Sequence, residues 1–578
     1  MRTYLKHKLN LSLLFTLLIC LFSVNSFAYD AEIDGIFYNF NGDNAEVTYG
    51  TTSYAGNVVI PQTVWYNDKS YQVTSIGFKA FYKCYSLTSI HIPNSISSVG
   101  SKAFMESHNI TSVHITDIAA WCNISFFGAT ANPLHYAHKL YVDNQEVTDL
   151  VIPESVTRIG DYSFASCNLT SVTIPQSVTS IGECAFNGCS GLTSITIPNS
   201  VVRIGDHAFF SCYSLTSITI PENIAYIGES AFTMTKWYDD WYDNLPDGLT
   251  YLGTVAFKYK GIMPENTTVV LKEGTTQVYS DCFYGCYNMI SLTIPESVTS
   301  IGSRAFYQCS QMILNNIPEG VTSIGDEAFY YCWSLKSITI PSGVTTINPG
   351  AFKSCGSLES IIIPDDVAII SKEAFSGCQS LTSISIPNSV SYIGKKAFEG
   401  CLVLASISIP DSLTWIQEST FSNCRSLTTI SIPNSVKAID KKAFWYCDSL
   451  KTIYIGTGVT NIYSQAFYNC SALTDVYSYS EIVPSASGAF SGIPDNATLY
   501  VPASALEAYS EADGWSLFFK KIVPLPEEDT AIGIVKGNQN EQKDNGFYDL
   551  SGRKLSKPQR GINIIRNNDG TAKKVVVK

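Results

Sequence analysis

The chain has 578 residues and a formal net charge of −13, with 15% charged residues against 45% hydrophobic ones. So acidic a chain is a poor partner for nucleic acid. A globular protein of this length would split into several domains, whereas a repeat array grows by adding coils and has no such limit.

Residues 1–28 read as a processing segment. Arg2, Lys6 and Lys8 precede the apolar run Leu11 to Phe22, and Ser26 and Ala28 supply the small residues a signal peptidase needs, so cleavage is expected before Tyr29. Cys20 does not fit a lipid anchor, because Ile19 stands where a small residue is required. No later stretch supplies the roughly 18 uncharged apolar residues of a membrane-spanning helix. Residues 29–57 are expected to form cap strands ahead of a long repeat region, 58–523.

In that region a cysteine returns every 23 residues, at Cys286, Cys309, Cys332, Cys355, Cys378, Cys401, Cys424, Cys447 and Cys470. A fixed period of this size means one unit stacked on copies of itself. Thirteen Ile-Pro pairs, from Ile60-Pro61 to Ile432-Pro433, mark the start of most units. In Leu381-Thr382-Ser383-Ile384-Ser385-Ile386-Pro387, the isoleucines alternate with hydroxyl residues, the pattern of a half-buried strand. Pro387 ends it for want of an N–H. Val390 and Ile393 form a second short apolar stretch, closed by Gly394, which is expected to be a positive-φ turn residue. Ala397-Phe398 is expected to begin a helical or 3₁₀ turn that drives the ring inward. Each coil then buries about six large apolar side chains, each stabilising by roughly 1.5–3 kcal/mol. The cysteines read as a structural column of buried free thiols rather than disulfides, since an in-register column does not offer the torsion a disulfide needs. Cys122, Cys184 and Cys282 lie off the column.

The pattern Cys-x-x-Leu-x-x-Ile-x-Ile-Pro-x-x-Val-x-x-Ile-Gly-x-x-Ala-Phe resembles the BspA-like branch of the leucine-rich repeats, known from surface proteins of the Bacteroidota and some mucosal parasites. The resemblance covers about Val58 to Val523. It implies a repeat solenoid: a curved, right-handed, leucine-rich-repeat-like stack of ~23-residue coils, with a parallel β-sheet on one face and short strands or 3₁₀ turns on the other. It also implies a secreted or cell-surface location, on the outer face of the outer membrane, and adhesion to host matrix proteins or other cells.

Two intervals break the rhythm, at about 107–151 and 233–273, and both read as embellished coils. The first gathers His108, His114, His135 and His138 near Cys122. His135 and His138 stand at i, i+3, but no zinc-site spacing is present, so no metal or other cofactor is expected. The second carries Trp237-Tyr238-Asp239-Asp240-Trp241-Tyr242-Asp243, in which Trp237, Tyr238, Trp241 and Tyr242 are the candidate ligand contacts, able to stack on sugar rings. A loop packed over the solenoid side is the plainer reading of the same residues. The outward pairs Ser194/Thr196, Ser217/Thr219, Ser337/Thr339, Ser383/Ser385 and Ser406/Ser408 form a polar ladder. His91, Ile362, Tyr454 and Tyr477 interrupt it, so it suits a large ligand better than ice. No Gly-x-Ser-x-Gly, His-Glu-x-x-His or phosphate loop occurs, and the chain is not expected to be an enzyme.

Residues 477–523 read as a terminal cap and 524–545 as a linker. Residues 546–578 predict three short strands, in Gly546 to Leu555, Gly561 to Arg566 and Lys573 to Lys578. This module resembles the C-terminal sorting segments of secreted Bacteroidota proteins, with Asn563 where relatives often carry tyrosine, which implies export machinery as a partner. The leading functional expectation is adhesion or recognition of host matrix or other surface proteins. The alternatives are a glycan-binding nutrient-capture protein and a structural envelope spacer.

Overall fold

The computed structural model describes residues 29–314 and 316–526, together with the backbone of strands within 546–577. The expected leader, and residues 527–545 of the expected linker, lie outside the described residues. The protein is a β-solenoid of about 20 coils of about 23 residues, and the chain divides into two units, Met1–Asn244 and Leu245–Lys578.

The first unit opens with antiparallel strands Ala31–Ile33, Ile36–Asn41 and Asn44–Thr48. Asn44–Thr48 then pairs in parallel with Lys69–Ile76, which starts the stack. From there each coil contributes one strand to each of two parallel ladders. In one, Ala55–Val59, Ser86–His91, Ser112–Ile115 and Leu140–Val142 lie side by side. In the other, Arg158–Ile159, Ser180–Ile181, Arg203–Ile204 and Tyr226–Ile227 do so. The first interruption is itself a coil. Leu140 lies in register with Val113, and the chain between them replaces the usual turn wall by two short helices, Ile118–Cys122 and Leu134–Ala137. Trp121 is buried there and donates its indole N–H to the Ser163 carbonyl at 2.7 Å.

The second unit begins with a hairpin, Gly248–Leu252 against Val255–Lys260, and the latter strand enters the second ladder beside Gln277–Val278. The repeat then runs to Thr429–Ile432, Thr452–Ile455, Asp475–Ser478, Thr498–Val501 and Lys521–Pro524, five parallel strands of one sheet. The two short helices Leu506–Glu511 and Asp513–Ser516 close this end. The buried Trp515 and Phe519 lie 5.2 and 5.1 Å from the Phe490 ring.

The interior of one coil is Leu381, Ile384, Ile386, Val390, Ile393, Ala397, Phe398 and Cys401, all buried. The outward residues between them, Ser383 and Ser385, are exposed. From Phe283 to Phe490 the phenyl rings form one stack with centroid spacings of 5.0–5.8 Å. Offset stacking of aromatic faces therefore adds to the area each ring removes from water.

Two local expectations are revised. Ala397-Phe398 does not start a helix. Bonds of the i→i+3 type are present, Ala397 N–H to Gly394 and Cys401 N–H to Phe398, but Lys396 (φ 60°) and Gly400 (φ 73°) take left-handed conformations that stop propagation. The alternation instead frees every second N–H to reach the next coil. Lys396, Phe398 and Gly400 donate to Glu418, Thr420 and Ser422, so this side is a third hydrogen-bonded wall. Gly394 is the second revision, because it has no positive φ. A Cβ there would lie 2.5 Å from the Lys372 nitrogen, so glycine serves the close approach of two backbones rather than a turn.

At the C-terminus the backbone forms four antiparallel strands rather than three. Gly546–Tyr548 folds back on Lys554–Leu555 and also pairs with Gly561–Arg566, which pairs with Ala572–Val577.

Replacing Phe375 by alanine removes one ring from the middle of the stack. The expected cost is about 3–5 kcal/mol, against under about 0.5 kcal/mol for Ser385→Ala on the exposed face, both read from urea unfolding followed by circular dichroism.

Candidate recognition surface

Parallel pairing with matched register sets one outward residue of each coil beside its equivalent in the next. In the first unit His91 lies between Val59 and His114, and His114 beside Tyr141. The three rings stack, at 4.2 Å and 8° for His91–His114 and 4.8 Å and 17° for His114–Tyr141. Burial holds both imidazoles below the usual histidine range, and His91 adds to the effect on His114. Neutral rings can sit face to face at this distance, whereas two imidazolium ions would repel. Further along, Thr196 meets Thr219.

In the second unit the equivalent positions place Thr339 beside Ile362, and set Ser431, Tyr454, Tyr477 and Tyr500 side by side in that order. Ile362 is 64% exposed, an apolar side chain the fold does not use. The tyrosines stack at 4.9 and 4.4 Å, so they present ring edges rather than faces to solvent. Within each unit the row is therefore a built surface with a mixed polar, apolar and aromatic character, and its spacing is fixed by the backbone.

The candidate aromatics of the second interruption lie on the helix Lys236–Asn244, which has no buried residue. Trp237, Tyr238, Trp241 and Tyr242 are all half-buried. Trp237 stacks on Trp241 at 5.6 Å, Tyr238 on Tyr242 at 6.4 Å, and Trp237 meets the Phe232 ring edge-on at 5.2 Å. The Trp237 N–H also donates to the Leu215 carbonyl. Much of the ring surface that could take a sugar is therefore turned toward other rings of the protein.

From Cys309 to Cys470 the cysteines are fully buried, and all the described cysteines are free thiols. Each thiol in this run donates to the phenylalanine carbonyl one coil back: Cys309 to Phe283, Cys378 to Phe352 and Cys470 to Phe444, at 3.2, 3.2 and 3.4 Å. That carbonyl already accepts a backbone N–H, as Phe352 does from Cys355, so the thiol satisfies its second lone pair. Ser107, in the equivalent place, makes the same bond to the Phe81 carbonyl at 2.5 Å. The position thus calls for a small donor. Burial pushes the thiols of Cys378 and Cys424 up to about 12, which keeps them protonated and unreactive.

The first interruption scatters its metal candidates. Cys122 is buried at the end of one helix, with its thiol pushed up to about 12 by burial. His135 packs edge-on against Tyr136 at 4.7 Å, and His138 Nδ1 lies 2.9 Å from the Ser166 carbonyl oxygen. Among the described residues no three histidine, cysteine or acidic side chains gather as a metal-binding group, and no helix is long and apolar enough to cross a membrane.

Two features escape reading along the sequence. Tyr284, Tyr307 and Tyr330, each following a column phenylalanine, stack on the turn wall at 4.8 and 4.6 Å. Their 23-residue spacing was the available signal. The other is a cleft lined from Tyr49 to Cys84, joining the N-terminal cap to the first coils, for which the sequence carries no periodic sign.

The profile of the BspA type leucine rich repeat region matches in six copies, over residues 67–132, 137–263, 242–359 and 345–474. The chain belongs to this family. A search of curated proteins finds no match. Among solved structures, this member of the repeat family is similar to a leucine-rich repeat protein of Bacteroides ovatus, at 25% identity over 82% of this chain and 100% of that one, with a TM-score of 0.34. It is also similar to a leucine rich cell surface protein of Faecalibacterium prausnitzii, at 26% identity over 78% and 94%, TM-score 0.28. The pneumococcal vaccine antigen PcpA is 17% identical over 87% and 99%, TM-score 0.21. With TM-scores this low, these likenesses add nothing to the fold already described.

Two outcomes test the thiol column. A thiol reagent is expected to label no more than the half-buried Cys184 in the native protein and every cysteine in denaturant, counted by intact mass. Cys378→Ala is expected to cost about 1 kcal/mol more than Cys378→Ser, which keeps a donor to Phe352, measured by urea unfolding.

Proposed function

We propose that this leucine-rich repeat protein is a secreted or cell-surface recognition protein whose outward strand row binds a protein on host matrix or another cell. The observation that carries the reading is the register of the outward row. Each coil supplies one side chain at a fixed strand spacing of about 4.8 Å, and the row includes Ile362 and the stacked Tyr454, Tyr477 and Tyr500. A protein–protein contact needs about 1,200–2,000 Å² of buried surface, and a row of many coils can supply such an area through repeated weak contacts. The leader pattern at Arg2 to Ala28 supports export, and the four-stranded C-terminal module fits a sorting or anchoring role.

The rival reading places a glycan on Trp237 and Trp241. Their mutual stacking and the edge contact with Phe232 favour a packing role, which leaves the strand row as the stronger candidate.

The test is biosensor binding of the full mature chain to immobilised matrix proteins and glycans. Ile362→Asp combined with Tyr454→Ser and Tyr477→Ser is expected to weaken binding to a matrix protein by roughly tenfold or more, while Trp237→Ala with Trp241→Ala leaves it unchanged. Sugar binding lost in the tryptophan pair would move the site to the helix. The absence of saturable binding to any surface would replace the reading by an envelope spacer.

A further inference from the structure

The described residues hold a second kind of surface, a cleft of about 390 Å³ in the first unit. Its walls include Tyr49, Ser53, Tyr54, Phe78, Lys79 and Tyr82, drawn from the segment that leaves the cap and from the turn of the first coil. The volume lies in the range of small-molecule sites, about 300–1,000 Å³.

The aromatic walls are held in place by the fold. Tyr54 donates its hydroxyl to the Thr48 carbonyl at 2.7 Å and accepts the Phe37 N–H at 3.0 Å, and its ring packs on Phe81 at 4.5 Å. Tyr82 donates to Glu106 at 3.1 Å. Tyr49 and Phe78, in contrast, are 49% and 54% exposed, so ring surface remains open at the mouth. The exposed Thr52 and Ser53 place hydroxyls on the rim.

The charge in the cleft is a single ammonium. Lys79 lies over the Phe78 and Tyr82 rings, at 5.1 and 5.0 Å from their centroids. The nearby lysines are neutralised: Lys83 pairs with Glu106 at 3.6 Å and Lys69 with Asp43 at 2.8 Å. Lys79 has no carboxylate within ion-pair distance among the described residues. An unpaired ammonium already seated on two aromatic faces does not suit a cationic ligand, and in a chain of charge −13 it is a local exception. Open aromatic surface, rim hydroxyls and one cation together match a ring that has a C–H face, a hydroxyl edge and a negative charge.

We infer that this cleft binds a saccharide unit carrying a carboxylate, with the sugar ring against Phe78 and Tyr49 and its carboxylate on the Lys79 ammonium. The inference is independent of the strand-row reading, because it uses different residues and a different ligand class. It also differs from the Trp237/Trp241 rival, whose residues lie outside the cleft.

The experiment is isothermal titration of the full mature chain with glucuronic acid and with glucose as the neutral probe. Glucuronic acid is expected to bind at least roughly tenfold more tightly than glucose, and the preference to shrink as salt rises. Lys79 has a φ of 58°, which asparagine tolerates, so Lys79→Asn is expected to fold normally and to bring glucuronic acid down to the glucose level. Phe78→Ala, at an exposed position, is expected to weaken both sugars, with thermal unfolding of both variants unchanged. Equal binding of the two sugars, an unaltered preference in Lys79→Asn, or no binding of either sugar at millimolar concentration would each overturn the inference.

Discussion

Within each unit, successive regular coils are tied together by three rows of backbone hydrogen bonds, and that constraint governs the rest. Two rows are parallel strand ladders, as at Ser383↔Ser406 and Tyr392↔Ile369. The third is the turn wall, where Phe398 donates to Thr420. Where three walls advance together, large insertions need a wall to be rebuilt: one replaces a turn wall by helices and the other introduces a helix and a hairpin.

The same constraint explains the composition of the interior. Identical coils in register place identical side chains in columns, so each must pack against a copy of itself. Phenylalanine meets this by offset stacking, and isoleucine and leucine by interdigitation. Cysteine meets it differently, by giving its weak donor to a carbonyl of the preceding coil, and Ser107 shows that the donor matters. Hydroxyls two residues after the Ile-Pro proline act in a similar way, as Ser389 and Ser412 donate to the Val367 and Val390 carbonyls. Much of the polar inventory of this chain is thus used between coils, which limits what is left for a ligand.

What remains is the outside, where residues need only be tolerated. Repetition turns this freedom into long rows. Where a row carries hydroxyls it satisfies solubility, and where it carries Ile362 or a tyrosine stack it departs from that minimum. The N-terminal cleft has a separate origin, because the cap and the first coils are not copies of each other and meet with imperfect fit.

The architecture and the columns were legible from the sequence, because a 23-residue period acts directly on burial. The spacing of Ile384, Ile386, Val390, Ile393, Phe398 and Cys401 determined which side chains face inward. Other features depended on contacts between coils, which no single repeat displays. The role of Gly394 was one, decided by the nitrogen of Lys372 in the preceding coil. The left-handed Lys396 was another, since only the neighbouring carbonyl of Glu418 makes that conformation worthwhile. The aromatic helix read alike as ligand contact and as packing, and the stacking of its rings on each other is visible only in the tertiary structure. Period determined the columns because each column repeats one position, whereas the cleft around Lys79 was decided by tertiary structure alone, because it joins residues about 30 apart that share no period.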